Sequence, residues 1–352
     1  MQQCADAHWW SAPVIVGGSG GSGTRGVALL LEALGVGMAC VTKDFLLPSS
    51  QQPPFEACTD LQCNTAADCG LISSFRTGKA VGGHGALSWL RQSSARNHST
   101  ASLSCDNVDE AAIKDAMDKP ISPKSTKLCG GSKIEAIRRL RHAVNPKYRM
   151  PLRWGLKNPH ATYYVNGLRK LFPCMVYVNT LRDLDVMVRT GKHFDSRVQE
   201  AVRYGIISEQ AVRHVKSSPT ASQRFLGTYL RRVNGGLHHW LARCMPRRFA
   251  HISLQRLVVR HSHGHHGGNN NNGGSCFNAV ILPLLRAIEM EATPATLNAS
   301  RTFLARSLPT VRSSLAEAVQ RPLHLPGGDA AVAWPEALEA QACRGPMQSS
   351  GV

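Results

Sequence analysis

A glycine-rich segment near the start of the chain has the residue types of an anion-binding loop. It runs from Gly17 to Thr24 and directly follows the β-branched residues 14–16. The apolar residues 27–31 come next, so the pattern predicts a strand, a loop and a helix N-terminus in succession. Glycines let successive backbone N–H groups point into one concavity, and the helix dipole places partial positive charge behind them. The segment therefore predicts a site for a phosphate or a sulfate.

The spacing of this loop is close to that of a Walker A loop, Gly-x-x-x-x-Gly-Lys-Ser/Thr. Gly18 and Gly23 have the required spacing of the two glycines. Thr24 and Arg25 follow Gly23, at the positions where the motif has its Lys and its Ser or Thr. The lysine that reaches the β- and γ-phosphates of a nucleoside triphosphate is therefore absent. Glycine-rich segments are also found as plain turns or flexible linkers, which is the alternative interpretation.

A second polar group follows an apolar run later in the chain. Residues 174–178 read as a buried strand, and Arg182 lies in the segment that leaves it. In open α/β sheets, ligands bind at the carboxyl ends of parallel strands. Arg182 is therefore expected at the same edge of the sheet as the glycine loop.

The elements that must position these residues alternate between strand and helix patterns. Helices are predicted over about 24–34, from about Asp185 and from Pro219, and a further strand over 251–259. This alternation predicts an α/β fold: a central, mostly parallel sheet flanked by helices, a three-layer sandwich like that of P-loop NTPases.

One α/β domain over residues 12–325 is expected, between an N-terminal tail, 1–11, and a C-terminal tail, 326–352. The segment at about 48–130 is rich in Pro, Ser, Gly, Asn and Cys and is predicted to be an irregular insertion. A second, low-complexity insertion of His, Gly and Asn is predicted at 261–275. Its histidines could bind a transition metal, but such a tract defines no coordination geometry, and no metal is expected.

The chain of 352 residues has 41 Lys and Arg against 23 Asp and Glu, which gives a net charge of +18. This excess of positive charge favours anionic partners: a phosphorylated cofactor, a nucleic acid, an acidic glycan or a membrane surface. Aromatic residues make up only 6% of the chain, and no nucleic-acid-binding signature is present. A nucleic-acid partner is therefore not expected.

Eleven cysteines show no obvious disulfide ladder, and Cys58, Cys63 and Cys69 lack the spacing of a zinc knuckle. Reduced thiols are therefore predicted. No apolar run is long enough for a membrane span, and no signal-peptide pattern opens the sequence. These features predict a cytoplasmic protein, with a Golgi form that lacks its N-terminal anchor as the alternative.

Several short segments, taken in order, resemble the sulfotransferase family. They are the Gly/Ser/Thr loop, a Trp-Gly-x-Lys-x-Pro segment at 154–159, the Phe172-Pro173 pair, the strand that follows it and the Arg182-Asp183 pair. The resemblance covers residues 12–35 and 150–300. It implies a P-loop-like fold that uses 3′-phosphoadenosine-5′-phosphosulfate (PAPS) as sulfuryl donor to a hydroxyl or amine acceptor.

The same resemblance implies which residues bind the donor. The loop looks like the cradle of the 5′-phosphosulfate, and Arg182 looks like the arginine that grips the 3′-phosphate. Thr190 stands eight residues after Arg182, where the family usually carries a serine that binds the same phosphate. The cofactor-binding candidates are Gly20, Gly21, Ser22, Gly23, Thr24, Arg25, Arg182 and Thr190.

Three catalytic candidates follow from the resemblance and from the chemistry of sulfuryl transfer. Lys157 resembles the family's lysine near the sulfuryl group, and Arg25 could replace the Lys or Arg that the family often has where this chain has Gly21. Both would stabilise charge on the leaving oxygen. His160 is the third candidate, as general base. Asp44, Glu56 and His84 are alternatives for that role.

Two other functions stay open. The glycine spacing also fits a P-loop NTPase or kinase, although the strand before Arg182 continues into Asn179-Thr180 and lacks the aspartate that would hold Mg²⁺. The absence of a basic residue at Gly21 is also compatible with an inactive, nucleotide-binding relative of the sulfotransferases.

Overall fold

A five-stranded parallel sheet forms the centre of the molecule. The computed structural model describes residues 12–19, 22–39, 105, 154–191, 193–203, 206–253 and 272–305. The strands are β1 (Val14–Gly18), β2 (Gly37–Ala39), β3 (Trp154–Lys157), β4 (Val176–Thr180) and β5 (Phe249–Ile252). Their order is β2-β3-β1-β4-β5, and every neighbouring pair is parallel. The predicted α/β class with a mostly parallel sheet is confirmed.

Helices connect and cover these strands. In chain order they are α1 (Thr24–Ala33), α2 (Val165–Leu171), α3 (Leu184–Thr190), α4 (Phe194–Arg203), α5 (Glu209–Val215), α6 (Pro219–Cys244), α7 (Asn272–Ala287) and α8 (294–305). A 3₁₀ turn, Pro159–Tyr164, precedes α2. The long helix predicted from Pro219 is present, with Ser218 as its N-cap and proline at its first position.

One face of the sheet carries the main apolar core. Val14, Val16, Val176 and Val178 alternate along β1 and β4 and point to the same side of the sheet. Helices α1 and α7 cover that side with Val, Ala, Leu, Ile and Phe side chains. The residues of β1 and β4 are buried on both faces, which explains why their sequences read as continuous apolar runs.

The opposite face is more polar. Tyr177 is buried there, and its hydroxyl shares a hydrogen bond of 3.0 Å with the Thr162 hydroxyl of the 3₁₀ turn. His251 on β5 meets His238 on α6 at 2.8 Å. Helical elements therefore lie on both sides of the sheet, as the three-layer prediction requires.

The structure differs from the sequence-based expectations in several elements. No strand was predicted at residues 154–157, but they form β3, which pairs with both β1 and β2. The strand expected over 251–259 is β5 at Phe249–Ile252. No separate helix was predicted between residues 191 and 218, where α4 and α5 lie. Helix α7 begins at Asn272, inside the predicted low-complexity insertion.

The prediction of reduced thiols is wrong for Cys105, Cys174 and Cys244. Cys105 and Cys244 form a disulfide, and Cys174 is disulfide-bonded as well. The Cys105–Cys244 bond ties a residue of the predicted insertion at 48–130 to the end of α6, and Arg169 donates a 3.1 Å hydrogen bond to the Cys105 carbonyl. Disulfides persist mainly in oxidising compartments, which does not favour the cytoplasmic prediction.

In the part of the chain that the structure describes, every helix falls short of the length or the hydropathy needed to cross a bilayer. Several sequence-based candidates lie outside the described residues: Gly20, Gly21, Asp44, Glu56 and His84, the two tails, residues 48–130 except Cys105, and the histidine tract at 261–266.

Candidate functional site

The carboxyl ends of β1, β3 and β4 meet at one edge of the sheet. Gly18 is level with Thr180 across the β1–β4 pair, and Val16 is level with Lys157 across the β1–β3 pair. The chain leaves β1 toward β2 on one side and leaves β4 toward β5 on the other. Such a switch in direction opens a crevice between the strand ends, where open α/β sheets bind ligands.

Ser19 and Ser22, on either side of the glycine pair after β1, lie close together beside this crevice. The Ser22 N–H donates a 3.0 Å hydrogen bond to the Ser19 carbonyl, which closes the turn. A Cβ atom at Gly18 would lie 2.6 Å from Ser22 Oγ and 2.6 Å from the Thr180 carbonyl oxygen. Only glycine therefore allows the loop, β1 and β4 to approach so closely.

Three buried hydroxyl groups belong to residues just after β1 and at the end of β4. Ser19, Ser22 and Thr180 are 1%, 3% and 0% exposed, and none of the three side-chain oxygens has a hydrogen-bond partner among the described residues. A buried hydroxyl without a partner costs roughly 1–3 kcal/mol. A ligand rich in acceptor oxygens, such as a phosphate or a sulfate, would satisfy these hydroxyls.

Helix α1 points its N-terminus at the same place. Its N-cap, Gly23, has a φ of 96° and makes no side-chain capping bond, and the first turn has no acidic residue. The first N–H groups of a helix have no partner within the helix and carry partial positive charge. Thr24 is buried there and Arg25 is half-buried in the same turn. The loop and the helix N-terminus together suit an anion.

Lys157 lies beside this loop because it is the last residue of β3. Its side chain is buried, and the N–H of the next residue, Asn158, donates a 3.0 Å bond to the Val16 carbonyl of β1. The strand pairing therefore places a buried lysine at the carboxyl edge of the sheet, next to β1.

The structure places Arg182 and Thr190 at opposite ends of α3. Arg182 is half-buried in the segment between β4 and α3, at the carboxyl edge of the sheet as expected. Thr190 is the last residue of α3, and its hydroxyl donates a 3.3 Å bond to the Met187 carbonyl. The seven residues of α3 correspond to a helix length of about 10 Å. A phosphate bound by both residues would have to lie alongside α3.

His160, in the 3₁₀ turn after Lys157, takes part in a cluster that the sequence did not reveal. Its Nδ1 lies 3.1 Å from Oε1 of Glu200 on α4. The Tyr163 hydroxyl donates to Glu200 Oε2 at 2.7 Å and lies 2.9 Å from the Tyr229 hydroxyl of α6. Glu200, Tyr163 and Tyr229 were not predicted, because no helix was predicted at α4 and the spacing of these residues follows no motif.

The surroundings of Glu200 and Tyr163 shift the pKa of each group in opposite directions. Burial alone would raise the pKa of Glu200, but the hydrogen bond and charge of His160, the Tyr163 hydroxyl and the Arg197 guanidinium together lower it below its usual value. Burial and the neighbouring Tyr229 and Glu200 hold the pKa of Tyr163 well above its usual value. At neutral pH the cluster therefore contains a carboxylate that accepts hydrogen bonds from neutral tyrosines.

A second group of polar side chains lies on the sheet face that also carries Tyr177. His238 Nδ1 and His251 Nε2 are 2.8 Å apart, and His251 Nδ1 lies 3.2 Å from the amide nitrogen of Asn179. Burial and the nearby His238 lower the pKa of His251 to about 3. His251 is therefore neutral over the whole physiological range. Among the described residues, no group of three or more His, Cys, Asp and Glu side chains could hold a metal ion.

No protein-family model matches the chain, and no curated protein matches it at a significant level. Two solved structures are similar to it. The sulfotransferase STF9 of Mycobacterium avium has 13% identity and a TM-score of 0.38, with 92% of this chain and 81% of that chain covered. The sulfotransferase STF1 of Mycobacterium tuberculosis H37Rv has 14% identity and a TM-score of 0.33, with 87% and 76% covered. Both TM-scores lie below 0.5.

Proposed function

We propose that this chain is a sulfotransferase that transfers a sulfuryl group from PAPS to a hydroxyl or amine acceptor by in-line displacement. The observation that carries the proposal is the set of three buried hydroxyls, Ser19, Ser22 and Thr180, at the uncapped N-terminus of α1. These groups favour a ligand with several acceptor oxygens. Lys157 adds a positive charge from β3, in the Lys-x-Pro context that resembles the sulfotransferases.

In this proposal the donor binds along the carboxyl edge of the sheet. The loop 20–24 and Arg25 hold the 5′-phosphosulfate with backbone N–H groups, hydroxyls and a guanidinium. Arg182 binds the 3′-phosphate with two parallel N–H···O bonds, and the Thr190 hydroxyl adds a further donor. A nucleotide that lacks the 3′-phosphate would lose both of the last contacts.

The reaction needs a base on one side of the sulfur and charge stabilisation on the other. The acceptor oxygen or nitrogen forms a new bond to sulfur, and the bond from sulfur to the bridging phosphate oxygen breaks. His160 takes the acceptor proton as general base. Lys157 and Arg25 stabilise the negative charge that develops on the leaving 3′-phosphoadenosine-5′-phosphate. The sulfuryl group passes directly to the acceptor, without a covalent enzyme intermediate.

The second candidate function is a P-loop NTPase or kinase, which the spacing of Gly18 and Gly23 favours. The two functions need different nucleotides. An NTPase needs a triphosphate with Mg²⁺, and residues 176–180 end in Asn179-Thr180 without an aspartate to hold the metal. A sulfotransferase requires the 3′-phosphate instead.

Calorimetric titration of the full-length protein tests the proposal. The titrants are 3′-phosphoadenosine-5′-phosphate, AMP, and ATP with Mg²⁺. 3′-Phosphoadenosine-5′-phosphate is expected to bind with a Kd in the micromolar range. AMP is expected to bind at least about 30-fold more weakly, because it lacks the 3′-phosphate and loses a charge-assisted contact of roughly 2 kcal/mol. Preference for ATP with Mg²⁺ would favour the NTPase, and no binding of any of the three would contradict both functions.

A further inference from the structure

We propose that Glu200 is a positioning residue for His160: it holds the imidazole with Nδ1–H toward α4, so that Nε2 faces the acceptor. The inference rests on the proposed function, because it assigns a role within the same reaction. The tautomer of His160 can nevertheless be tested without that function, because it concerns only which ring nitrogen carries the proton.

Both oxygens of the Glu200 carboxylate are already engaged. Oε1 lies 3.1 Å from His160 Nδ1, and Oε2 accepts from the hydroxyls of Tyr163 at 2.7 Å and Tyr229 at 3.5 Å. An ionised carboxylate accepts hydrogen bonds and donates none. The hydrogen between His160 and Glu200 therefore has to be on Nδ1, which leaves Nε2 of the neutral ring as a proton acceptor.

The carboxylate cannot easily turn away from the histidine. Glu200 is buried on α4, and α4 packs on α6, which supplies Tyr229. The Tyr229 ring stacks on Phe225 with centroids 5.6 Å apart, and Phe225 meets Phe194 of α4 edge-on at 6.2 Å. The aromatic contacts and the two tyrosine hydroxyls together restrict Glu200 to its present rotamer.

His160 is anchored at its backbone as well as at its ring. The Asn158 side chain caps the 3₁₀ turn by accepting a 2.9 Å bond from the His160 N–H. Because Lys157 ends β3 only three residues earlier, the cap places the imidazole close to the strand end that carries the lysine. The His160 side chain is 27% exposed, whereas that of Glu200 is 8% exposed. The ring is therefore accessible on one side and buried on the side of its partner.

This arrangement divides the proton chemistry between the two ring nitrogens. The acceptor O–H or N–H proton moves to Nε2 as the acceptor atom bonds to sulfur, and the ring becomes an imidazolium. Glu200 stabilises that imidazolium through Nδ1–H and is not itself protonated. A histidine in the opposite tautomer would present an N–H to the acceptor and could not take its proton.

The first test compares Glu200→Gln with Asp195→Asn. Both substitutions change a carboxylate of α4 to an amide, but Asp195 is exposed and paired with Lys216. Glu200→Gln is expected to lower kcat about 10- to 100-fold, with the KM for PAPS changed less than about twofold. Asp195→Asn is expected to retain wild-type kinetics. Adding Glu200→Gln to His160→Gln should lower kcat no further, because the two residues act as one unit. Wild-type kcat in Glu200→Gln would overturn the proposal.

The second test does not depend on turnover. Long-range ¹H–¹⁵N spectra of protein labelled at histidine nitrogen report which ring nitrogen carries the proton. Wild-type His160, assigned by its loss in His160→Gln, is expected to show a protonated Nδ1 and a bare Nε2 when the spectra are recorded above the pH at which its imidazolium loses a proton. Glu200→Gln is expected to give a mixture of the two tautomers. A protonated Nε2 in the wild type would overturn the positioning role. A protein that shows the expected tautomer but has no sulfotransferase activity would contradict the proposed function alone.

Discussion

The hydroxyl of Tyr177 occupies the space that a side chain at Gly17 would need. A Cβ atom at Gly17 would overlap that hydroxyl and come within 2.7 Å of the ring carbon that bears it. Tyr177 is fully buried, and its hydroxyl bonds to Thr162 on the 3₁₀ turn. The first glycine of the loop segment therefore serves the packing of β4 against the turn, whereas Gly18 serves the loop itself.

This contact makes Gly17 sensitive to the smallest substitution. Gly17→Ala is expected to lower the free energy of unfolding by about 1–3 kcal/mol, because the added methyl must displace Tyr177. Urea unfolding followed by circular dichroism measures the change. Combining Gly17→Ala with Tyr177→Phe should recover part of the loss, since the hydroxyl is the nearest obstacle. A Gly17→Ala protein as stable as the wild type would contradict the close approach.

The Thr180 hydroxyl has no hydrogen-bond partner among the described residues, so replacing it should affect stability and nucleotide binding in opposite directions. Thr180→Val removes a buried donor without a described partner, so the free protein should be equally stable or more stable by up to about 1 kcal/mol. Affinity for 3′-phosphoadenosine-5′-phosphate should fall by about 1–2 kcal/mol, measured by calorimetry.

Thr162→Val is the matched control, because its hydroxyl is also fully buried but is bonded to Tyr177 at 3.0 Å. It should destabilise the protein and leave nucleotide affinity unchanged. If Thr180→Val lost stability to the same extent as Thr162→Val and bound nucleotide normally, the Thr180 hydroxyl would have no part in the site.

Arg182 should discriminate between nucleotides with and without a 3′-phosphate. Arg182→Ala is expected to weaken binding of 3′-phosphoadenosine-5′-phosphate by roughly 2–4 kcal/mol and to change AMP affinity little. Arg213→Ala, at an exposed position of α5, removes the same charge away from the site and should affect neither titration. Equal losses for both nucleotides after Arg182→Ala would contradict a contact to the 3′-phosphate.

His251 predicts a pH dependence of stability. Its pKa in the folded protein is about 3, and an unfolded histidine has a pKa near 6.5, so the unfolded chain binds more protons between these values. The free energy of unfolding should therefore decrease as the pH falls from about 6.5 toward 3. The groups that face the ring are the imidazole of His238, whose pKa is also lowered by burial, and the neutral amide of Asn179.

Urea unfolding of His251→Gln at several pH values measures this contribution. The slope of stability against pH should be shallower than in the wild type by up to about 1.4 kcal/mol per pH unit, which corresponds to one proton. His214→Gln, at an exposed position of α5, should keep the wild-type slope. Equal slopes in all three proteins would show that His251 titrates normally in the folded state.

The Cys105–Cys244 bond joins residues 139 positions apart and should contribute strongly to stability. A loop of this length corresponds to as much as about 5 kcal/mol in the chain-entropy account. The double variant Cys105→Ser/Cys244→Ser is expected to unfold at a clearly lower urea concentration than the wild type. Mass spectrometry of unreduced peptides should find the two cysteines cross-linked, and two peptides that separate without reductant would disprove the pairing.

Local sequence patterns were sufficient to predict the elements whose own residues indicate a strand or a helix. The β-branched run, the glycines and the apolar helix pattern predicted β1, its loop and α1, and Ser218-Pro219 predicted the start of α6. The position of Arg182 after β4 was predicted for the same reason. Periodicity, capping and glycine each depend on neighbours within a few residues, which the sequence shows directly.

Contacts between distant residues could not be predicted in this way. Trp154–Lys157 becomes a strand only because β1 and β2 lie on either side of it, since four residues with a glycine have no strand period of their own. Glu200 contacts His160, Cys105 bonds to Cys244, and Ser22 and Thr180 both lie beside Gly18 only after the helices pack on the sheet. The residue types of the candidate site were therefore visible in the sequence. Their partners depend on packing between segments that are far apart in the chain, for which a single sequence holds no local signal.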